Sequence, residues 1–412
     1  MVRMNRSHLF LIIFIALVIA SSYILFNRRK DKSQTSNSTS FNAGSPTPLS
    51  PSSTDGLSPE QLELFNKHKL GNIKLPQGFR ISVFAEVPTA RSLVVSPRGV
   101  VYVGNRENGS VYALVDENQD GVAERMLPLT TNLHVPNGVA FKDGDLYVTT
   151  IDTVYRLNDV ENDLSKPPQP EVVYDGFPSD EAHGWKFTAF GPDGRLYIPV
   201  GVPCNSCLSS NPLFGTIAAL DVSSKKVEIV AKGLRNSVGF DWRPSDDQLW
   251  FTDNGRDRMG DDVPGDELNR LSKIGEDFGA PYCYGNDVQD PDISPQRPCA
   301  DFTKPVQVLA PHTAALGMRF YTGKMFPPEY KNQIFIAEHG SWNRTVPIGY
   351  RVMLVRLDGD RAVSYEPFAE GWLGANGEAF GRPVDVAVAP DGALLVSDDR
   401  AGAVYRIFYT GN

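Results

Sequence analysis

Cysteine and histidine are scarce in this chain, with four of the first and six of the second among 412 residues. The cysteines form two local pairs, Cys204 with Cys207 in PCNSC and Cys283 with Cys299 further on. One CxxC plus a wide pair suits zinc poorly, because zinc needs four convergent ligands in tetrahedral geometry. The CxxC also lies in loop-like sequence rather than at a helix start, which argues against a thiol redox motif. Two loop-closing disulfides, formed in an oxidising compartment, are the better reading. Positive charge is in deficit as well. Lys and Arg number 40 against 49 Asp and Glu, and beyond residue 33 the balance is 34 against 48. Such a chain repels phosphate backbones, so nucleic acid is not an expected partner.

Apolar runs of bilayer length are absent except at the start, where residues 8–26 (HLFLIIFIALVIASSYILF) lie between basic flanks. This run is long enough to cross a membrane. Val18 and Ala20 offer a small-residue cleavage pattern, but YILF continues the apolar run beyond it, so residues 1–33 read as an uncleaved anchor, with a cleaved signal as the alternative. The four basic residues after the run outnumber the two before it and pull toward a cytoplasmic C-terminal side. Large domains are often translocated against that bias, and the expected location is a cell-membrane protein whose bulk faces the periplasm or exterior. Residues 34–58, rich in Ser, Pro and Thr, read as a disordered linker, leaving 59–412 as the folded domain.

That domain is rich in turn formers, which account for most of the 36 glycines and 31 prolines of the chain. It repeats one pattern: a β-type run, a tight polar turn, a second run, then a third. The copies begin RSLVVSPRGVVYV, NGVAFKDGDLYV, KFTAFGPDGRLYI, VGFDWRPSDDQLWF, MRFYTGKMFPPEYKNQIFI and VDVAVAPDGALLV. Their first turns lie near Gly99, Gly144, Gly194, Asp247, Lys324 and Gly392. Hairpin repeats at roughly this period imply a β-propeller, here all-β with six blades. The two long spacings are assigned to insertions after Gly255 and around Cys283 to Cys299. FRISVFAEV, with no blade before it, is expected to complete the last sheet and remove its open edge.

In a propeller the loops at one end are free to carry chemistry. Of the histidines, His134, His183, His312 and His339 sit at blade entrances or exits, and Arg91, Arg235, Arg344 and Arg382 recur at similar positions, with Asn236 beside Arg235. Guanidinium groups converging on the axis would bind a planar polycarboxylate through bidentate hydrogen bonds. The segment after Asp253, NGRDRMGDDVPGDELNRL, combines five acids with three glycines, as a loop holding a hard cation by carbonyl and carboxylate oxygens would.

Over residues 78–409 the chain resembles the pyrroloquinoline-quinone (PQQ) dependent sugar dehydrogenases of the soluble glucose and L-sorbosone type. The resemblance rests on HGWKFTAFGPDGRLY, GLRNSVGFDW, DNGRDRMGDDVPGDELN, HGSWNR and RPVDVAVAPDG. It implies a six-bladed propeller with PQQ and Ca²⁺, His183 as catalytic base, and Arg235, Asn236 and Arg382 on the cofactor, which Arg91 and Arg344 are expected to join from their blade positions. It also implies that the carbonyls of Gly255 and Arg256 bind the calcium at the quinone, and that Glu267 binds a second, structural calcium. The sequence departs from the glucose-oxidising members at Ala182, where they have an acid before the histidine, which leaves Glu181 or Asp180 to orient His183. It departs again at Val384, where they have an arginine, and HGSWNR is the sorbosone-type version of its loop. The implied activity is oxidation of an aldose, sugar aldehyde or related alcohol to a lactone or acid, with an electron acceptor the sequence does not identify. Two rivals stand beside it. One is a calcium-dependent lactonase-like hydrolase using Asn137, Asp253 and Asn254 on the axis; the other is a non-catalytic propeller that binds sugar or protein.

Overall fold

A computed structural model describes residues 47–107 and 109–411. The anchor expected at residues 8–26 lies outside them, and among the described residues no helix is long and apolar enough to cross a membrane. Six β-sheets follow one another along the chain, each an antiparallel meander of four principal strands, and they make a six-bladed propeller. The first blade runs Ala90–Val95, Val101–Asn105, Tyr112–Val115 and Arg125–Pro128. The second is built from Gly138–Lys142, Asp145–Thr149, Val154–Leu157 and Glu171–Tyr174, and the third opens with Ala189–Phe190 and Leu196–Val200. The fourth contains Gly239–Trp242, Leu249–Asp253, Gly265–Arg270 and Gln307–Pro311, and the fifth begins with Ala315–Phe320 and Ile334–Glu338. The sixth joins Pro383–Val388, Leu394–Asp398 and Ala403–Tyr409 to Phe79–Glu86, the early strand expected to close the ring.

Second strands such as Leu196–Val200, Leu249–Asp253 and Leu394–Asp398 are buried along their whole length. Neighbouring blades cover both faces of each sheet, so these strands need apolar residues on both sides rather than in alternation. Near the axis the first strands of adjacent blades approach backbone to backbone. A Cβ on Gly239 would sit 2.2 Å from the Leu316 carbonyl oxygen, so this position tolerates only glycine.

Two boundary expectations change. Within the stretch expected as a linker, Leu49–Pro51 pairs with Lys74–Pro76, and that strand continues the fifth blade. Ser58 then caps the helix Pro59–Lys67 through a reciprocal bond pair with Gln61. Both insertions assigned from the repeat spacing fall inside the fourth blade. The other long spacing comes instead from the fifth blade's extended strands Arg351–Asp358 and Arg361–Glu370 and the loop before them. Both cysteine pairs are disulfides, Cys204 with Cys207 and Cys283 with Cys299.

Candidate active site

The first strand of a blade starts, and the second ends, at the same end of the propeller. Residues just outside those two points therefore crowd one axial mouth. The residues following the six second strands are Arg106, Thr150, Gly201, Asn254, His339 and Asp399. A cavity of about 410 Å³ opens there, and its walls include Arg91, Arg106, Arg235 and Arg382 together with His183, His312 and His339.

His183 sits at φ 51°, in the left-handed region. It packs against Gly201, where a Cβ would come within 2.6 Å of the His183 Cβ. Its Nδ1 lies 2.8 Å from the Val202 carbonyl. A carbonyl only accepts, so Nδ1 carries the proton and Nε2 keeps a lone pair. Burial, reinforced by the Arg235 charge, lowers the ring's pKa to about 4, and it is neutral at physiological pH. The expected orienting acids do not reach it. Glu181 lies instead beside the exposed ring of His134, at 3.6 Å, and His134 does not line the cavity.

Asp399 organises the opposite wall. Its carboxylate accepts from Arg91 Nη1 at 2.9 Å, Arg382 Nε at 3.0 Å and His339 Nε2 at 3.0 Å. Burial opposes ionisation, but the His339 hydrogen bond and the two guanidinium charges outweigh it and hold this acid below the usual carboxylate range. Arg91 also donates to the Asn137 side-chain oxygen at 2.9 Å, while the Asn137 amide nitrogen bonds Ser92 and the Lys186 carbonyl. Lys186 is itself buried, with its ammonium on the Gly184 carbonyl at 2.9 Å. It therefore stiffens the loop that carries His183.

Arg235 is nearly inaccessible and bonds Asp257 at 2.7 Å and the Asn205 side chain at 2.9 Å. Asn236 donates to Asn254 at 3.3 Å. Arg344, expected at the cofactor, does not line the cavity: its side chain is engaged with the backbone of Asp261 and Val346, which binds two loops together. Gly255 is in the wall, whereas the Arg256 side chain turns to Asp290 and Asp292.

Beneath Gly255 lies a group of buried acids. Asp266 accepts from the Gly255 amide at 2.9 Å and from Thr313 at 3.1 Å, yet burial pushes its pKa up to about 7. Glu267 and Asp253 are raised as well, by burial first, with the Asp253 charge adding to the effect on Glu267. Asn269 donates to Glu267 at 2.8 Å, but its own amide oxygen is buried with no partner. The orphaned Asn269 oxygen beside Glu267 is an acceptor of the kind a hard divalent cation takes, although the carboxylates of Asp253, Asp266 and Glu267 do not converge as one three-acid ligand set. The axial lactonase set fits less well. The Asn137 oxygen is taken by Arg91, and Asp253 accepts from the amides of Arg235 and Asn236 and from the Ser237 hydroxyl.

Sequence reasoning missed Asp399, Asp257, Asn205, Arg106 and the two tryptophans of the wall, Trp185 and Trp342. Arg106 stacks over Trp185 at 4.1 Å, and Trp342 is 68% exposed at the mouth. The available signal was position. Arg106 and Asp399 stand directly after second strands, as His339 does.

Comparisons with known proteins agree with this architecture. A profile of the TrAA12-like family matches residues 216–410. Over 128 residues the chain is 32% identical to the pyrroloquinoline quinone-dependent pyranose dehydrogenase of Coprinopsis cinerea, a match covering 26% of this chain and 17% of that protein. The solved PQQ domain of a Coprinopsis cinerea pyranose dehydrogenase, in its holo form, superposes with a TM-score of 0.68 at 20% identity, over 82% of this chain and 97% of that one. A calcium structure of a Trichoderma reesei family AA12 enzyme gives 0.71 at 19%, over 81% and 96%. At these identities the two structures share the fold. A Borreliella burgdorferi protein described as uncharacterized is 31% identical over 362 residues, spanning 82% of this chain and 91% of the relative. The chain belongs to the same family as that Borreliella burgdorferi protein.

Proposed function

We propose that this chain is a PQQ- and calcium-dependent dehydrogenase that oxidises an aldose, sugar aldehyde or related alcohol to a lactone or acid. The observation that carries the reading is the pairing, in one cavity, of a neutral histidine fixed in a single tautomer with four guanidinium groups. Arg91, Arg106, Arg235 and Arg382 bring to the wall the guanidinium donors that a planar tricarboxylate takes, while Asp399 and Asp257 offset part of their charge. PQQ, when bound, supplies a two-electron acceptor for the hydride of the substrate carbon. His183 Nε2 takes the hydroxyl proton, and the Nδ1 bond to Val202 keeps that lone pair directed as the proton arrives. Gly255 and Arg256 offer carbonyls for the calcium at the cofactor, and Glu267 with Asn269 offers oxygens for a second ion.

The activity of the similar Coprinopsis cinerea pyranose dehydrogenase supports the same class. The test is dye reduction by the purified domain, with PQQ and Ca²⁺, over a panel of aldoses and aldehydes. Substrate-dependent bleaching that requires both additions is expected. No PQQ binding and no turnover would remove the reading, and lactone hydrolysis without PQQ would favour the hydrolase.

A further inference from the structure

The disulfide Cys204–Cys207 closes a loop of only four residues, and the two half-buried residues inside it bond to the cavity's supports. Asn205 spends nearly all its polar atoms on two residues of the cavity wall. Its carbonyl accepts from Arg235 Nε at 2.7 Å, and its side-chain oxygen accepts from Arg235 Nη2 at 2.9 Å and from the Asp257 amide at 2.9 Å. Its amide nitrogen donates to the Asp257 carbonyl at 3.0 Å. Ser206 donates to Asp290 at 2.6 Å, and Asp290 in turn holds Arg256 at 2.6 Å. The four-residue loop thus grips the segment 255–257 from two sides.

We infer that Asn205, held in place by the Cys204–Cys207 bridge, is a positioning residue for the anion-binding wall of the cavity. A guanidinium has one edge formed by Nε and Nη2. Asn205, with Asp257, occupies that edge of Arg235 and leaves Nη1 with only a 3.4 Å contact to the Asn254 carbonyl. The remaining donors are thereby turned to a ligand in the cavity instead of collapsing onto the wall. The bridge supplies what a short polar loop lacks, because a free segment of this length would lose much conformational entropy in holding such an arrangement. The same contacts lock the backbone of Asp257, two residues from Gly255, so the loop also fixes the carbonyls nearby.

The structural part of this inference stands alone; its effect on cofactor binding rests on the PQQ reading. The full-length protein is compared with Asn205→Ala, Asn205→Asp and the double variant C204S/C207S. Amide hydrogen exchange in residues 255–258 is followed by mass spectrometry, and PQQ affinity by absorbance titration. Loss of the Asn205 side-chain oxygen in Asn205→Ala, or of the bridge that holds it in C204S/C207S, should accelerate exchange in that segment about tenfold or more. Asn205→Asp keeps the oxygen that accepts from the Asp257 amide and Arg235 but loses the donor to the Asp257 carbonyl, so its exchange should lie between wild type and Asn205→Ala. Exchange in Leu394–Asp398 of the sixth blade should not change. The dissociation constant for PQQ should rise about tenfold in Asn205→Ala and in C204S/C207S. Unchanged exchange in Asn205→Ala, equal acceleration in Leu394–Asp398, or Asn205→Asp behaving as the alanine would overturn the inference. The expected exchange pattern with no PQQ binding by any protein, wild type included, would support the positioning role and remove the cofactor reading.

Discussion

His183 is neutral over the whole range in which cells operate, because burial and the Arg235 charge bring its pKa to about 4. Its basic form is therefore already present at pH 5, and kcat/KM should fall only as pH drops through about 4. Stability follows the same group. An unfolded histidine binds its proton near pH 6.5, so the unfolded chain holds more protons between about 4 and 6.5, and stability contributed above that window is lost as pH falls through it. The size is roughly 3 kcal/mol. Replacing His183 with Ala should reduce turnover by about 10²–10⁴-fold while leaving PQQ affinity nearly unchanged. Equal turnover by the variant would remove His183 as the base. This residue was legible because HGWKF and GPDG sit in one short stretch. Asp399 was not. Its partner Arg91 is 308 residues away along the chain, and nothing local in VSDDR shows that one of its acids gathers two guanidiniums and an imidazole.

At the scale of elements, the loop 254–264 connects two adjacent strands of the fourth blade yet is tied to distant parts of the ring. Arg344 binds Asp261, Thr345 donates to the Asp261 carboxylate at 3.1 Å, and His312 Nε2 donates to the carbonyls of Gly260 at 2.8 Å and Val263 at 3.1 Å. The glycine and acid content of this loop was readable, but its ties were not, since each crosses from another blade or insertion. The buried acids below it give a pH signature. Asp266, Glu267 and Asp253 are raised when no cation is present, so the folded apo chain holds more protons than the unfolded one above their ordinary range. Apo stability should therefore fall as pH rises through the raised value of about 7 for Asp266. Calcium should oppose this decline, raising Tm after chelator treatment and more so at pH 8 than at pH 5. A Tm indifferent to calcium at both pH values would remove the structural ion, and Glu267→Gln should weaken the response.

For the whole molecule, the repeat count and the closing strand were visible in the sequence because each hairpin carries its own alternation and turn. Phe79 begins that closing strand and meets the rings of Phe326, Tyr330, Phe368 and Tyr409 within 5.2 Å. Phe79→Ala should cost about 3–5 kcal/mol in urea unfolding. A change below about 1 kcal/mol would show that the seam between the fifth and sixth blades is not stabilised there. The two disulfides support the proposed placement of the propeller outside the cytoplasm, tied through residues 8–26. Protease added to intact spheroplasts should digest it, and protection until lysis would overturn that placement. The closing strand also bears on how such a chain is made. The Thr410 amide bonds the Gly78 carbonyl, 332 residues earlier, and Phe79–Glu86 pairs along Ala403–Tyr409. Contacts of such separation form late, because the intervening chain must first be drawn together. During synthesis Phe79–Glu86 waits for its partner until the last residues have left the ribosome. The ring stays unlatched for nearly the whole of translation, so the sixth blade reaches its closed packing only once the chain is complete.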